Sequence, residues 1–285
     1  MYVMIMLPLI VSMSVPFLCT LIGLVSLKLY TKLSAGQCDC TTSLQGRTVV
    51  ITGGGGGIGR QTALRLAAAG ARLILPVRSV QRSREIALQI TQATGNTQVH
   101  VVQCDLSSLK SVRDCCQRII GHEFRLDLLV LNAAMVPPPG RFLTEDFLEL
   151  QMTSNHMGHF LMVNLLLPLM HQTVKQGKQA NVDFIPISNT KMPTDEQLWP
   201  RDLAQCCLHP QPLPNPRIVV VSSLLHQLGQ IQFENLNCER QVRGPFWIYC
   251  NSKLADLLLV KCLSERLKQQ TKSRSLRTEC LRKRK

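Results

Sequence analysis

The sequence lacks the cysteine spacing of a zinc site. None of its 12 cysteines belongs to a Cys-x-x-Cys pair that is followed by a second such pair, which zinc-binding domains of this type require. Cys104 ends a predicted strand, and Cys250 and Cys262 lie on a predicted helix, so the cysteines are scattered rather than grouped. We therefore expect no metal site and mostly buried thiols in a reducing compartment.

Acidic residues are few. The chain has 18 Asp and Glu against 32 Lys and Arg, which gives a net charge of +14. Positive charge is concentrated in the basic tail, residues 271–285, where no aromatic side chain is interleaved with the basic ones. Because such interleaving is typical of nucleic-acid-binding proteins, we expect no nucleic-acid partner. We expect a solvated tail without regular structure, with anionic lipid as the alternative partner.

Charge is absent between Met4 and Leu27. An apolar stretch of this length is sufficient to cross a bilayer, and Lys28 and Lys32 follow it directly. We predict a transmembrane anchor over residues 1–30, in the endoplasmic reticulum, with the rest of the chain facing the cytosol. A cleavable signal peptide is the alternative, although no basic segment precedes the apolar stretch and the stretch is long for one.

Apolar, β-branched runs alternate with helical stretches between residues 48 and 221. This alternation predicts an α/β fold, a doubly wound parallel sheet with helices on both faces. Ligands in such sheets bind just beyond the strand ends, where this chain has Arg78, Asp105, Asn132 and Ser223. The predicted strands cover residues 48–51, 72–77, 99–104, 127–131 and 217–221.

Residues 176–216 interrupt this alternation. The segment is rich in proline and has no sustained period, so we interpret it as an irregular insertion in a domain that covers residues 45–270. No apolar run suited to a strand follows Leu267. We therefore expect the strand at 217–221 to lack a neighbour, which would expose its backbone and apolar surface.

A glycine-rich turn follows the first predicted strand. It contains Gly53, Gly57, Ile58 and Gly59, and a helical stretch begins at Arg60. Glycines let the backbone approach a pyrophosphate, and a helix N-terminus supplies N–H donors and the positive end of a dipole. The order of strand, glycine turn and helix predicts a dinucleotide site.

Two arginines indicate which dinucleotide is bound. Arg60 follows the glycine turn, and Arg78 and Ser79 follow the second predicted strand. An NAD site has an acidic residue at that second position to bind the ribose hydroxyl, and this chain has none there. Since guanidinium groups suit a 2′-phosphate, NADP(H) is favoured over NAD.

Tyr249 and Lys253 are one helical turn apart and share a helix face. An ammonium beside a phenol favours the phenolate, which allows the tyrosine to exchange a proton near neutral pH. The spacing also arises by chance on solvated helices, so the interpretation of this pair depends on the glycine turn upstream.

Together these segments resemble the short-chain dehydrogenase/reductase family from about Gln45 to Leu267. The resemblance is closest to its membrane-anchored, retinol dehydrogenase-like branch, which includes relatives similar to dehydrogenase/reductase family member 13. Besides the glycine turn and the Tyr249–Lys253 pair, the residues that carry it are Cys104-Asp105-Leu106-Ser107-Ser108-Leu109, Asn132-Ala133-Ala134, Asn155-His156-Met157-Gly158-His159-Phe160 and Val221-Ser222-Ser223. Ala134 stands where the family has glycine.

The resemblance implies four catalytic residues. Tyr249 would exchange the proton at the substrate oxygen, Lys253 would assist it and bind the nicotinamide ribose, and Ser223 would polarise that oxygen. Asn155 would hold a water that links Lys253 to solvent. The residues implied to bind the cofactor are Gly53, Gly57, Ile58, Gly59, Arg60, Arg78, Asp105, Leu106, Asn132, Ala133, Tyr249 and Lys253.

The implied activity is that of a membrane-anchored NADP(H)-dependent oxidoreductase, which interconverts a lipophilic alcohol such as retinol and its carbonyl compound. Its partners would be this small molecule, the membrane and a second copy of the chain, bound through helices at 156–171 and 248–267. Family members continue into further strands where this chain has its basic tail. The alternative is therefore an inactive truncated or splice-variant product that retains partial cofactor binding or serves as a scaffold.

Overall fold

A computed structural model describes residues 18–30, 33, 42–176, 184–187, 216–240 and 244–282. The chain divides into two compact units, and the smaller comprises Met1–Cys40 and Arg201–His209. The described part of that unit includes helix α1, residues 18–30, whose side chains are exposed. Among all described residues, no helix has both the length and the apolar character needed to cross a membrane. The anchor predicted over residues 1–30 lies largely outside the described residues.

The larger unit, Thr41–Pro200 and Pro210–Lys285, is built on a parallel sheet. Its described strands are β1 (Thr48–Ile51), β2 (Arg72–Val77), β3 (Val99–Gln103), β4 (Leu128–Leu131), β5 (Phe184–Ile187) and β6 (Arg217–Val221). Their order across the sheet is β3-β2-β1-β4-β6-β5. The predicted doubly wound parallel sheet is confirmed. Because the strand order reverses between β1 and β4, the ends of these two strands flank the switch point where such sheets bind ligands.

Helices connect most of these strands. They are α2 (Gly57–Ala68), α3 (Val80–Thr94), α4 (Leu109–His122), α5 (Leu150–Met152), α6 (Gly158–Gln176) and α7 (Pro245–Arg282). A π-helical turn, Thr153–Met157, joins α5 to α6. Short 3-10 turns at Leu224–Leu228 and Phe233–Asn235 fill the connection between β6 and α7.

Alternate residues of β1, β2, β3, β4 and β6 face opposite sides of the sheet and fill two separate cores. In β1, for example, Val50 packs with α4, α6 and α7, whereas Val49 and Ile51 pack with α2 and α3. All three side chains are fully buried. Strands buried on both faces read as continuous apolar runs, which explains why the sequence shows no polar alternation within them.

The segment predicted to be an irregular insertion contributes a strand. In β5, Phe184 pairs with Ile218 of β6 and Ile187 pairs with Val221, so β6 has a parallel neighbour. The prediction that β6 would lack one is wrong. Pro186 argued against a strand, but a proline is tolerated at the edge of a sheet, where β5 lies. Residues 177–183 and 188–215 of the predicted insertion lie outside the described residues.

Helix α7 continues into the predicted tail. Its backbone is helical as far as Arg282, where we expected no regular structure. The physical reason is the absence of any glycine or proline between residues 246 and 282, since these are the residues that commonly end a helix.

Several cysteines are buried, as predicted. Cys104, Cys115, Cys116 and Cys250 are almost inaccessible, while Cys262 is exposed. A hydrogen bond with Cys115, together with burial, raises the pKa of the Cys104 thiol, and burial raises that of Cys116 to about 12. These thiols are therefore uncharged at neutral pH and serve as packing groups.

A buried carboxylate fixes the start of β4. Asp127 is 2% exposed and accepts hydrogen bonds from Arg47 at 2.8 Å, Arg125 at 2.6 Å and the Thr48 backbone N–H at 3.0 Å. Burial by itself would raise the pKa of Asp127, but these bonds outweigh it and hold the pKa below its usual range. The carboxylate thereby joins β1 to β4.

We predict that Asp127→Asn lowers the free energy of unfolding by about 3 kcal/mol, because two guanidinium groups lose their buried counter-ion. Chemical denaturation at neutral pH measures this. The control is Asp114→Asn, which removes an exposed carboxylate paired with Lys110 at 2.8 Å and should leave the midpoint unchanged. Equal midpoints for wild type and Asp127→Asn would show that the carboxylate does not stabilise the sheet.

Candidate active site

The turn between β1 and α2 has a shape that requires glycine at two positions. Gly53 has a φ of 68°, in the left-handed region, and a Cβ there would lie 2.9 Å from Ala133 Cα. A Cβ on Gly59 would lie 2.2 Å from the Gly53 carbonyl oxygen, which no side chain tolerates. Residues 55–58 are exposed, so main-chain groups of the turn reach the surface.

The first turn of α2 suits an anion. The N-cap residue, Gly56, has no side chain to accept from the first N–H groups, and the first turn contains no acidic residue. The N–H groups and the positive end of the helix dipole therefore have no competing acceptor from a cap. These features fit the pyrophosphate of a dinucleotide, which the glycine backbone would hold.

The two arginines predicted to recognise a 2′-phosphate have different surroundings. Arg78 is exposed beyond the end of β2. Arg60 is half-buried, and its Nη2 donates to Gln89 Oε1 at 2.8 Å. Its Nε is buried and has no hydrogen-bond partner among the described residues. An unpaired buried donor next to the glycine turn fits a phosphate acceptor.

A hydroxyl group links the turn to β4 and to the π turn. Thr52 Oγ1 accepts hydrogen bonds from the backbone N–H groups of Asn132 at 3.0 Å and Ala133 at 3.1 Å, and it lies 2.9 Å from His159 Nε2. His159 Nδ1 lies 2.9 Å from the Asn155 carbonyl oxygen. Burial lowers the pKa of His159 to about 4, so the ring is neutral. Nδ1 must carry its hydrogen because the carbonyl can only accept, and Thr52 therefore donates to Nε2.

Other predicted cofactor residues lie at the carboxyl ends of β3 and β4. Asn132 Nδ2 donates to the Thr52 carbonyl oxygen at 3.1 Å. Asp105 Oδ1 accepts from Ser107, from its N–H at 2.9 Å and from its hydroxyl at 2.7 Å. The backbone at Leu106 approaches α6 so closely that a Cβ on Gly158 would lie 2.3 Å from the Leu106 carbonyl oxygen. The turn after β3 is therefore held against α6.

Asn155 is completely buried, and protein groups satisfy its side chain. Its Oδ1 accepts from the Met135 N–H at 2.8 Å, and its Nδ2 donates to the Met135 carbonyl oxygen at 3.0 Å and lies 3.2 Å from Ser252 Oγ. The side chain thus ties the π turn to the segment after β4 and to α7. The water implied between Asn155 and Lys253 stays a prediction.

The two serines after β6 have different partners. Ser222 Oγ donates to the Lys253 carbonyl oxygen at 2.9 Å and so attaches α7 to the end of β6. Ser223 Oγ accepts from the Leu225 N–H at 3.3 Å and caps the turn Leu224–Leu228. Among the described residues, the Ser223 hydroxyl hydrogen has no acceptor, so it is available to a ligand.

Lys253 is buried in an ion pair. Its Nζ donates to the Val221 carbonyl oxygen at 3.0 Å and to Asp256 Oδ2 at 3.0 Å, with only 3% of the side chain exposed. The other oxygen of Asp256 lies 3.1 Å from His156 Nδ1. The Tyr249 ring centre lies 5.9 Å from Nζ.

The fold brings the four predicted catalytic residues onto three adjoining elements. Ser252 Oγ connects α7 to the π turn, since it donates to the Tyr249 carbonyl oxygen at 2.8 Å and accepts from Asn155 Nδ2. Lys253 contacts the last residue of β6, directly before the serines. Tyr249, Lys253 and Ser223 therefore share one end of the sheet, with Asn155 buried behind α7.

Sequence reasoning missed several residues of this site. Asp256 is three positions from Lys253 and seven from Tyr249, so its place on the same helix face could have been found from helical spacing. No such signal links Thr52 to His159, because 107 residues separate them.

A small cavity lies beside the face of α7 that carries Trp247, Ile248 and Asn251. Its volume is about 70 Å³. Apolar side chains and amides line it, from Met152, Leu228, Gln230, Ile231, Gln232, Asn235, Leu236, Cys238, Trp247, Ile248 and Asn251. The cavity is formed largely by the connection between β6 and α7.

This fold and site define a protein of the Rossmann type with a candidate dinucleotide site at the switch point of its sheet. A family model described as short chain dehydrogenase matches residues 47–194. Retinol dehydrogenase 13 of Mus musculus is 35% identical over 245 residues, which represent 86% of this chain and 60% of that protein. The chain therefore belongs to the short-chain dehydrogenase/reductase family, in its retinol dehydrogenase-like branch. It spans about 60% of the length of that relative.

Solved structures share the fold. A crystal structure of an uncharacterized protein from Mycobacterium paratuberculosis has a TM-score of 0.59 and 30% identity, over 82% of this chain and 69% of that one. A short chain dehydrogenase from Escherichia coli CFT073, complexed with NADPH, has a TM-score of 0.52 and 22% identity, over 80% of this chain and 75% of that one. At that identity the second comparison supports the fold alone.

We predict that Gly59→Ala weakens NADPH binding by about tenfold or more, because the new methyl group would push the Gly53 carbonyl oxygen away from α2 and distort the turn. Quenching of NADPH fluorescence measures the affinity, and circular dichroism confirms folding. The control is Gly121→Ala, in α4, where an added Cβ meets nothing within 4 Å. Equal NADPH affinity in Gly59→Ala and wild type would exclude the turn as the cofactor site.

We predict that His159→Asn reduces the loss of stability in acid. The folded-state pKa of about 4 lies below the usual 6.5, so the stability that neutral His159 contributes is complete above pH 6.5 and is lost as the pH falls toward 4. The contribution is up to about 3 kcal/mol. Asn164 bonds the Phe160 carbonyl oxygen in the same helix at 2.7 Å, so asparagine can replace the bond from His159 to Asn155.

The measurement is chemical denaturation of wild type and His159→Asn at about pH 7 and about pH 5. The difference between wild type and variant isolates His159 from the carboxylates that also titrate in acid. The same pH dependence in both proteins would contradict a buried neutral ring.

Proposed function

We propose that this chain is a membrane-anchored, NADP(H)-dependent oxidoreductase that interconverts a lipophilic alcohol and its carbonyl compound. The observation that carries the proposal is the buried ammonium of Lys253, 5.9 Å from the Tyr249 ring centre and bonded to the residue before the serines. A phenol, a cation and a free hydroxyl at the open end of a dinucleotide-binding sheet supply the groups that carbonyl reduction needs.

The cofactor would supply or accept the hydride, and the protein would provide binding, orientation and proton transfer. In the reducing direction, Tyr249 donates its phenol proton to the substrate oxygen. Ser223 donates a hydrogen bond to the same oxygen, which favours the charge that develops there. Lys253 stabilises the phenolate that remains, because a positive charge close to a phenol favours its ionised form.

The preference for NADP(H) rests on Arg60 and Arg78. Arg60 Nε is a buried donor without a partner among the described residues, and Arg78 is exposed at the end of β2. Neither Arg78 nor the Ser79 that follows offers the carboxylate that would bind the ribose hydroxyl of NAD. Both arginines suit the additional phosphate of NADP(H).

The preference for a lipophilic substrate rests on the surroundings of the cavity. Leu228 and Trp247 line it and are also exposed at the surface, by 50% and 36%. Its volume of about 70 Å³ is below the roughly 300–1,000 Å³ of pockets that enclose drug-sized ligands, so it would hold one end of a long apolar molecule. The relative named retinol dehydrogenase 13 suggests a retinoid.

The proposal includes two further features. Residues 1–30 would anchor the chain in the endoplasmic reticulum membrane, with the catalytic unit in the cytosol. A homodimer would form through α6 and α7, where Phe160 and Leu258 are exposed by 49% and 43%. Large apolar side chains on helix surfaces are suited to such burial.

The proposal predicts that Tyr249→Phe slows NADPH oxidation with a lipophilic aldehyde by about 100-fold or more, because the proton donor is lost. The assay follows NADPH absorbance in the full-length chain with retinal or a long-chain aldehyde. The matched control is Tyr30→Phe in α1, which should keep the wild-type rate. Equal rates for wild type and Tyr249→Phe would show that the mechanism is wrong. A wild-type chain that quenches NADPH fluorescence but never turns over would support the inactive alternative instead.

A further inference from the structure

Asp256 is a buried carboxylate for which the mechanism above has no role. It is 1% exposed and faces two cations or potential cations, Lys253 Nζ at 3.0 Å and His156 Nδ1 at 3.1 Å. Burying a charge is unfavourable unless it is paired and hydrogen-bonded, so this group is held in place by specific partners. Its position on the face of Tyr249 and Lys253 suggests that it acts on them.

The bonds to Lys253 determine where its ammonium can point. An ammonium has three N–H groups, and here one is directed at Asp256 and one at the Val221 carbonyl oxygen. With two directions fixed, the third is fixed as well, since the group is tetrahedral. The Tyr249 ring, 5.9 Å from Nζ, lies on the same helix face.

The carboxylate also reduces the electric field that the ammonium exerts on Tyr249. An isolated cation would favour the phenolate strongly, whereas a cation paired with a carboxylate has a smaller net effect. The other titratable groups nearby are three histidines and the Cys250 thiol, which is uncharged because burial raises its pKa. His156 donates to Asp256, His159 is neutral because burial lowers its pKa to about 4, and His226 is turned toward the Ser223 carbonyl oxygen at 2.6 Å. Among these described groups, Asp256 is the one negative charge.

We propose that Asp256 is a positioning residue for Lys253, which fixes the direction of its free N–H and sets the pH at which Tyr249 ionises. This role rests on the proposed function of Tyr249 and Lys253. Asp256 itself does not touch the reacting atoms. It acts through the ion pair, and an uncharged residue of the same shape would remove the field while retaining the packing.

The number of tyrosines allows a direct test without substrate or cofactor. The chain has 3 tyrosines, so the ultraviolet absorbance of tyrosinate can be followed as the pH of the full-length protein is raised. Subtracting the titration of Tyr249→Phe isolates the signal of Tyr249. In Asp256→Asn, we expect the phenolate of Tyr249 to form at a pH about one unit lower, a tenfold change in its ionisation constant. The pH profile of NADPH oxidation should shift in the same direction.

Two variants control this experiment. Asp256→Glu keeps the carboxylate and should restore a midpoint close to that of wild type. Asp114→Asn makes the same change of charge at an exposed position and should leave the Tyr249 titration unchanged. A midpoint in Asp256→Asn that equals the wild-type midpoint, or that moves to higher pH, overturns the proposal.

A purely structural role can be separated from the proposed one. If Asp256→Asn does not fold, Asp256→Ser is the second variant, because its hydroxyl can accept from Lys253 without a charge, and the same acid shift is expected. Failure of both variants to fold would assign the ion pair to folding and overturn the positioning role. If the Tyr249 titration moves to lower pH in the Asp256 variants but wild type oxidises no NADPH, the proposed function alone is refuted. If wild type oxidises NADPH but Tyr249 titrates at the same pH in wild type and in the Asp256 variants, this inference alone is refuted.

Discussion

The geometry of the site depends on the hydrogen bonds that the Thr52 hydroxyl group makes. This group accepts from the backbone at the end of β4 and donates to His159, whose ring in turn bonds the Asn155 carbonyl oxygen. One buried side chain therefore connects the glycine turn, the switch point of the sheet and the π turn. Because Thr52, His159 and Asn155 are buried and bonded to one another, a change at one end of this chain of bonds is transmitted to the others.

The second half of the site is attached to this frame through α7. Ser222 and Lys253 form reciprocal bonds between the end of β6 and α7, from Ser222 Oγ to the Lys253 carbonyl and from Lys253 Nζ to the Val221 carbonyl. Asn155 reaches α7 from the other side through Ser252. Tyr249 is thus placed by backbone contacts on both sides of its helix, and the strand β5 covers the outer edge of β6. These contacts of the fold determine where the Tyr249 side chain lies.

Much of this arrangement could be predicted from the sequence. The predicted strands agree with β1, β2, β3, β4 and β6 to within a residue, because strands buried on both faces are continuous apolar runs between polar ends. The glycine turn was predicted for the same local reason, since Gly53 and Gly59 occupy positions that exclude a side chain. The strand β5 was missed because its four residues include Pro186, and its pairing depends on an exposed edge elsewhere in the sheet. The helical extension to Arg282 does not follow from the charge of the tail but from the absence of helix-ending residues in it.

The sequence by itself determined the order of strands and helices, the glycine turn and the spacing of Tyr249 and Lys253, because local sterics and periodicity fix all three. Only the tertiary structure decided what surrounds the tyrosine. It paired Asp256 with Lys253 and with His156, engaged Asn155 with Met135 and distinguished Ser223 from Ser222. Most of these contacts join residues that are far apart in the chain, and their strength depends on burial and exact distance. Neither property leaves a period or a motif in the sequence.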